Sequence, residues 1–274
     1  MLILFACFYL TPMVATVMTS FMNWNQIKIQ GFAGLSNYFR LFRDPVFYIS
    51  LKNVLSWLAV AVFIHIPFAM IVALLLSEKM RGWKFLRTAY FIPQIISSVA
   101  WATIFLSVFN PRYGLLNGIL GTIGLVSFQH NWLFDASTAW PSIICTWLFF
   151  IGMFTMIILA ELISIPDEIL ESAVVDGANK IQIAWRIKVP MVKHVITTVL
   201  ILAVTGGIRS FDSLYVMTNG APNYRTNTLA LYLYQQYSYA NFSYANTIGV
   251  ILLVLGIVIV SLIRRVMRSR ETDL

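Results

Sequence analysis

The sequence predicts an all-α, polytopic membrane protein with about six transmembrane helices, and three observations carry that prediction. Apolar residues make up 59% of the 274 and charged residues only 11%. Soluble domains hold roughly 45–50% and 25%, so this chain cannot be solvated as a globule. Six apolar stretches, at about 2–22, 54–76, 88–109, 139–163, 191–211 and 246–263, are long enough for a hydrocarbon core, which needs about 20 helical residues. Twenty Phe, twelve Tyr and eight Trp suit the same solvent, because amphipathic rings collect at bilayer interfaces.

The stretch at 2–22 has no basic start, and Ser20-Phe21-Met22-Asn23 is a poor small-residue cleavage site, so it reads as a retained N-terminal helix and not a secretory signal. The core spans follow at about 46–263. In the span at 54–76, His65 lies beside Pro67 and reads as a satisfied packing histidine. Cys7 and Cys145 fall inside apolar runs without a CxxC partner and read as small core residues. The fifth stretch is the least regular, interrupted or flanked by Lys193, His194, Gly206, Gly207 and Arg209. Polar groups at such positions need a protein or water partner, and Asp212 stands one turn from Arg209 if the helix continues. The connections 23–45, 110–138 and 212–245 are rich in Asn, Tyr, Trp, Gly and Pro and too short for a separate domain. Residues 1–274 are therefore expected to form a single transmembrane domain.

Lys and Arg set the orientation. Segments 77–87, 164–194 and the tail carry twelve of the nineteen: Lys79, Arg81, Lys84 and Arg87; Lys180, Arg186, Lys188 and Lys193; and Arg264, Arg265, Arg268 and Arg270. Lys28, Arg40, Arg43, Arg112 and Arg225 lie on the opposite side. The positive-inside rule then places both termini and these three segments in the cytoplasm. The formal charge of +8 is thus a membrane-topology signal, and no basic face interleaved with aromatics points to nucleic acid.

The connection 164–190 has its own composition. Ser164 is a plausible N-cap, Pro166 suits a first turn, and Asp167 and Glu168 complement the positive helix end. Ile165, Ile169, Ala173 and Val174 recur at helical spacing, and Gly177 supplies the closing turn. A second short helix, about 179–187, is expected to stop before Pro190.

Within this loop Glu171-Ser172-Ala173, then Asp176-Gly177-Ala178, then Ile187-Lys188-Val189-Pro190 resembles the EAA signature of permease subunits in bacterial binding-protein-dependent ABC importers. Ser172 and Val189 depart from the Ala and Leu of that signature. Gly34-Leu35-Ser36-Asn37-Tyr38 with Asp44-Pro45, then Arg81-Gly82, Arg87 and Pro93, Tyr113-Gly114 with Asn117, and Met217 through Pro222 are similar to the maltose/multiple-sugar branch over nearly the whole chain. Tyr-Gly-x-x-Asn resembles the first of the two permeases. Members usually carry a basic segment before the first helix, and this sequence opens without one.

The resemblance implies a type I ABC importer fold whose cytoplasmic coupling helix docks on a partner ATPase. Glu171 would pair with a basic residue there, Gly177 would allow the sharp turn, and Ala173, Asp176, Ala178 and Pro190 complete the coupling set. It implies a homologous second permease, a dimer of ABC ATPase subunits, an extracytoplasmic sugar-binding protein and surrounding lipid as partners. ATP and Mg would be bound by the ATPase, since this chain has no GxxxxGK[ST] loop, and no cofactor or metal is expected here. The sugar path would fall on Phe149, Phe150 and Met153 of one helix and Ala203, Gly206, Gly207 and Ser210 of another, where the amides of a maltose site are absent. Gly206 and Gly207 equally suit close helix packing. Arg209 either pairs with Asp212 or meets an anionic sugar.

Two other classes require features that this sequence lacks. An ion-coupled secondary transporter needs acids near mid-membrane. A membrane enzyme needs converging carboxylates, metal ligands or a nucleophile. The three histidines are dispersed singly, and no span carries an acid at its centre.

Overall fold

A computed structural model describes residues 1–24, 28–78 and 81–267. Lys79, Arg268 and Arg270 of the basic segments lie outside the described residues. Among those described, five helical runs are long and apolar enough to cross a membrane, or six when one bent pair counts as a single span.

The N-terminal helix α1 covers Ile3–Ser20. A hairpin that helical periodicity does not announce follows, with β1 (Met22–Trp24) antiparallel to β2 (Ile29–Phe32) and a register shift between Asn23 and Trp24. After α2 (Ser36–Leu41) comes α3 (Pro45–Ser77), of 33 residues. This helix begins earlier than the expected 54 because Asp44 Oδ1 accepts the free Val46 amide at 2.8 Å, satisfying a first-turn donor. The stretch expected as a single span at 88–109 is instead α4 (Trp83–Ile95) and α5 (Ser98–Val108), bent by 99°. Pro93 lies in the last turn of α4, where its missing N–H and ring weaken the ladder. After α6 (Leu115–Thr122), the span at 139–163 is also interrupted: α7 (Ala139–Trp147) and α8 (Gly152–Ser164) flank a turn at 148–151.

Prolines elsewhere are absorbed by wide turns. π-helical segments at Ala6–Leu10, Ala61–His65 and Ile183–Lys188 each end two residues before a proline, namely Pro12, Pro67 and Pro190. A wider i→i+5 turn relieves the clash of a proline ring with the preceding turn. The chain therefore remains helical through Pro190, contrary to the expected stop.

The contacts sort the chain into two compact units. The first comprises 1–56, 102–143 and 208–258, the second 57–101, 144–207 and 259–274. All described basic residues of the three segments assigned to the cytoplasm fall in the second unit, and Lys28, Arg40, Arg43, Arg112 and Arg225 fall in the first.

The first unit is tied by buried amides and hydroxyls. Asn37 Nδ2 donates to the carbonyls of Ser20 (2.9 Å) and Met22 (3.1 Å), and Asn53 Nδ2 to those of Arg225 (2.7 Å) and Asn227 (2.8 Å). Tyr232 and Tyr244 both donate to Asp44 Oδ2. Burial, then the adjacent carboxylate, raises the Tyr232 phenol above its ordinary value.

The second unit has an apolar core built from Ala61, Ala69, Ala73, Ile158, Leu159, Val199 and Ala203. Lipid is as apolar as these side chains, so close packing of small residues, and not water exclusion, holds such helices together. Gly152 shows how close the packing is: a Cβ there would stand 2.2 Å from the Tyr90 carbonyl oxygen. Cys7 and Cys145, expected in the core, are exposed, since a lipid-facing surface exerts no pull on a small apolar residue.

Candidate functional site

The loop at 164–190 folds as two helical arms joined by a left-handed turn. Its first helix, α9 (Asp167–Val175), carries Asp167 and Glu168 in the first turn. The expected N-cap is corrected: Ser164 Oγ bonds back to the Glu161 carbonyl at 2.8 Å, and Pro166 takes the cap position without a side-chain bond. At the other end Gly177 has φ +83°. Its amide donates to Val174 O (3.0 Å), and that of Ala178 to Ala173 O (2.9 Å). That pairing is a Schellman closure, which satisfies two orphan carbonyls and calls for glycine at the left-handed residue. The return arm starts with a reciprocal cap, Gln182 N to Asn179 Oδ1 at 2.9 Å and Asn179 N to Gln182 Oε1 at 2.8 Å.

The buried stripe of α9 also differs from expectation. Ile165 and Ala173 are buried and Leu170 packs on the core, whereas Ile169, Val174 and Val175 are exposed. The stripe follows the i, i+5, i+8 line because the helix starts only at Asp167. Glu171 is exposed on the same helix and makes no ion pair with another described residue. It lines an open groove of about 460 Å³ with Asp167, Val174, Lys180 and Lys188. An exposed acid on a groove lined by both apolar and charged side chains is suited to receive a cation from a protein partner. Pro190 stands exposed on the return arm.

The residues placed on the transport path separate by burial. Phe149 and Phe150 occupy the 148–151 interruption, Phe149 exposed and Phe150 half-buried, with Trp101 packed against both rings at 5.9 and 4.9 Å. Trp101 Nε1 donates to the Thr146 carbonyl at 3.2 Å, pairing one carbonyl beside the interruption. Met153 is exposed at the start of α8. On α10 (Lys193–Ile208) Ala203 is buried and a Cβ on Gly207 would meet Trp57 at 3.1 Å, whereas one on Gly206 would meet nothing within 4 Å. Gly207 is thus a packing glycine and Gly206 borders open space. Arg209 and Ser210 belong to the first unit, Arg209 exposed and Ser210 half-buried. The register proposed to set Asp212 one turn from Arg209 is not present. The helix ends at Ile208, and α11 (Asp212–Met217) begins after Phe211 at φ −137°.

Three polar side chains find their surroundings in the fold. His65 is fully buried and its ring lies tilted against Trp147 at 4.1 Å, but neither ring nitrogen forms a hydrogen bond of good geometry. It packs as expected, with the backbone of Trp147 and Leu148 beside its ring. Lys188, counted only as a topogenic charge, is buried and bonded to Glu78 at 2.6 Å. Glu161, read from the sequence as snorkelling or bonding to a neighbouring helix, meets His194 Nε2 at 3.3 Å. Gly152, two residues after Phe150, is the sequence hint of the interruption.

The remaining motifs are structural ties. Asn117 donates to the carbonyls of His130 (3.0 Å) and Pro111 (3.3 Å) and accepts from Trp132 Nε1 at 2.7 Å. A Cβ on Gly114 would collide with Asn110 O at 2.3 Å. In the 217–222 segment Gly220 has φ +90° and a Cβ there would meet Asn227 Oδ1 at 2.0 Å, while Gln235 bonds Asn219 and Asn227.

Comparison with known proteins gives a consistent outcome. The model of the family described as binding-protein-dependent transport system inner membrane component matches residues 65–272. The probable ABC transporter permease protein YurN of Bacillus subtilis is 33% identical over 92% of this chain and 88% of its own. The multiple sugar-binding transport system permease protein MsmF of Streptococcus mutans is 32% identical, over 94% and 89%. A crystal structure of a bacterial ABC transporter involved in import of the acidic polysaccharide alginate superposes with a TM-score of 0.86, over 99% of this chain and 93% of that one, at 24% identity.

Proposed function

Because the chain belongs to the family of binding-protein-dependent transport system inner membrane components, we propose that it is the first-type permease subunit of an ATP-driven sugar importer. Acting as one permease domain over residues 1–274, it moves oligosaccharide handed over by an extracytoplasmic binding protein, with a homologous second permease completing the path and a pair of ABC ATPase subunits supplying the energy. ATP and Mg belong to those ATPases. The names and descriptions of its relatives support sugar as the cargo class.

The observation that carries the coupling role is the Schellman-closed helix α9, which holds Glu171 exposed beside Val174 and Val175. Glu171 takes a cation of the ATPase, Gly177 sets the angle between the arms, and Ala173, Asp176, Ala178 and Pro190 keep the loop rigid. A rigid loop continuous with two spans turns ATPase closure into rigid-body motion, the basis of alternating access. The basic residues gathered in the second unit support a cytoplasmic placement of this loop and of the C-terminal end, and an even number of spans would bring the N-terminus to the same side. Cargo passes Phe149, Phe150, Met153, Gly206, Arg209 and Ser210, with Ala203 and Gly207 supporting the path from behind.

Native mass spectrometry of the complex purified through this chain tests the assignment. A second permease and two ATPase copies are expected, and a lone homo-oligomer would refute it.

A further inference from the structure

We infer that Glu78 and Lys188 form a tie that fixes the return arm of the coupling loop to the end of α3, so that the loop and that span move as one body. The inference rests on the coupling role proposed for the loop. Lys188 Nζ lies 2.6 Å from Glu78 Oε1 and 3.4 Å from Ser77 Oγ. The lysine side chain is 7% exposed and the glutamate 42%. Ser77 is itself fixed, donating to the Leu74 carbonyl at 2.7 Å.

Two physical details argue that this is a built contact. Glu78 caps the C-terminal end of α3, where a carboxylate opposes the helix dipole unless a cation compensates it. Lys188 supplies that cation from 110 residues away in sequence. Lys188 also closes the π-helical segment Ile183–Lys188, in which both end residues are buried. In a regular α-helix residues five apart point about 140° from each other, and the i→i+5 turn brings them toward one face. The wide turn before Pro190 thus lets Ile183 and Lys188 both face inward. Asp167, Glu171 and Lys180 line the same groove, and pairing with Glu78 keeps Lys188 from neutralising Glu171.

The test is cargo moved per ATP hydrolysed, measured in proteoliposomes holding the intact complex with its binding protein. Lys188→Met removes the buried charge and leaves a half-exposed, hydrated Glu78, so the chain is expected to insert and assemble. ATP hydrolysis should continue while the transport ratio falls about fivefold or more. Lys188→Arg, and the exchange Glu78→Lys with Lys188→Glu, should recover much of that ratio. Should Lys188→Met fail to accumulate, Glu78→Gln at the half-exposed partner is expected to show the same fall. An unchanged ratio in either variant, or an Arg variant as poor as Met, overturns the tie. Glu171→Lys in the same assay separates the two claims: a collapsed ratio there beside an intact one in Lys188→Met removes the tie alone, and intact ratios in both remove the coupling role as well.

Discussion

Replacing Gly177 by valine is a clean probe of the coupling turn, because the structure isolates one physical effect. A Cβ at Gly177 meets nothing within 4 Å, so no collision occurs and only the backbone conformation at φ +83° is penalised. For an L-residue the left-handed region costs about 1–2 kcal/mol, with β-branched residues at the upper end. A cost of that size lowers the population of the closed turn about five- to thirtyfold relative to unwound alternatives. The two bonds from Gly177 and Ala178 to Val174 and Ala173 open with it, and the angle between the arms is lost. Asparagine tolerates the left-handed region, so Gly177→Asn should retain most activity, Gly177→Ala less, and Gly177→Val least. The assay is binding-protein-stimulated ATP hydrolysis and cargo uptake at matched membrane abundance. Equal activity of the valine and glycine forms, or an asparagine form as poor as valine, would refute a role for the turn.

Further outcomes follow from the same geometry. Glu171→Lys should leave the chain inserted but abolish ATPase stimulation by loaded binding protein, since repulsion replaces attraction at the docking face; stimulation equal to wild type would remove Glu171 from the interface. Gly152→Ala should lower the melting temperature in detergent, because overpacking against Tyr90 O costs about 1–3 kcal/mol, whereas Gly206→Ala, with open space around it, should not. Asp44→Ala removes the acceptor for Tyr232, Tyr244 and the Val46 amide, and each buried donor left unpaired costs about 1–3 kcal/mol, so a melting temperature equal to wild type would contradict that hub. Cysteines placed at 84 and 180 should react with impermeant reagent only from the cytoplasm, and those at the exposed positions 113 and 224 only from outside.

Composition and periodicity were sufficient for the membrane class and most of the spans, because burying backbone in lipid forces helices. The coupling loop was readable in its main features, as Gly177 can close a helix and Asp167 and Glu168 favour its start. Its details were not. Ser164 looked like a cap on composition alone, but its hydroxyl is taken by the preceding helix, a competition that sequence spacing does not resolve. Pro190 looked like a stop, and the π-turn that absorbs it leaves no residue signature beyond the proline itself. The interruption at 148–151 lies in an unbroken apolar run, where hydropathy cannot distinguish helix from turn. Lys188 shows the deepest limit: its partner is far away in sequence, so only the fold separates a buried tie from a surface charge. Arg209 shows the converse, since its one-turn spacing to Asp212 assumed a helix that ends one residue before it.

The most direct measurement is uptake of labelled oligosaccharide by proteoliposomes containing the purified complex, with ATP inside, binding protein outside, and ion gradients imposed or collapsed at will. Uptake should require both ATP and binding protein, persist when proton and sodium gradients are dissipated, and vanish in Glu171→Lys. Uptake that runs on an ion gradient without ATP would contradict an ATP-driven permease and favour an ion-coupled carrier.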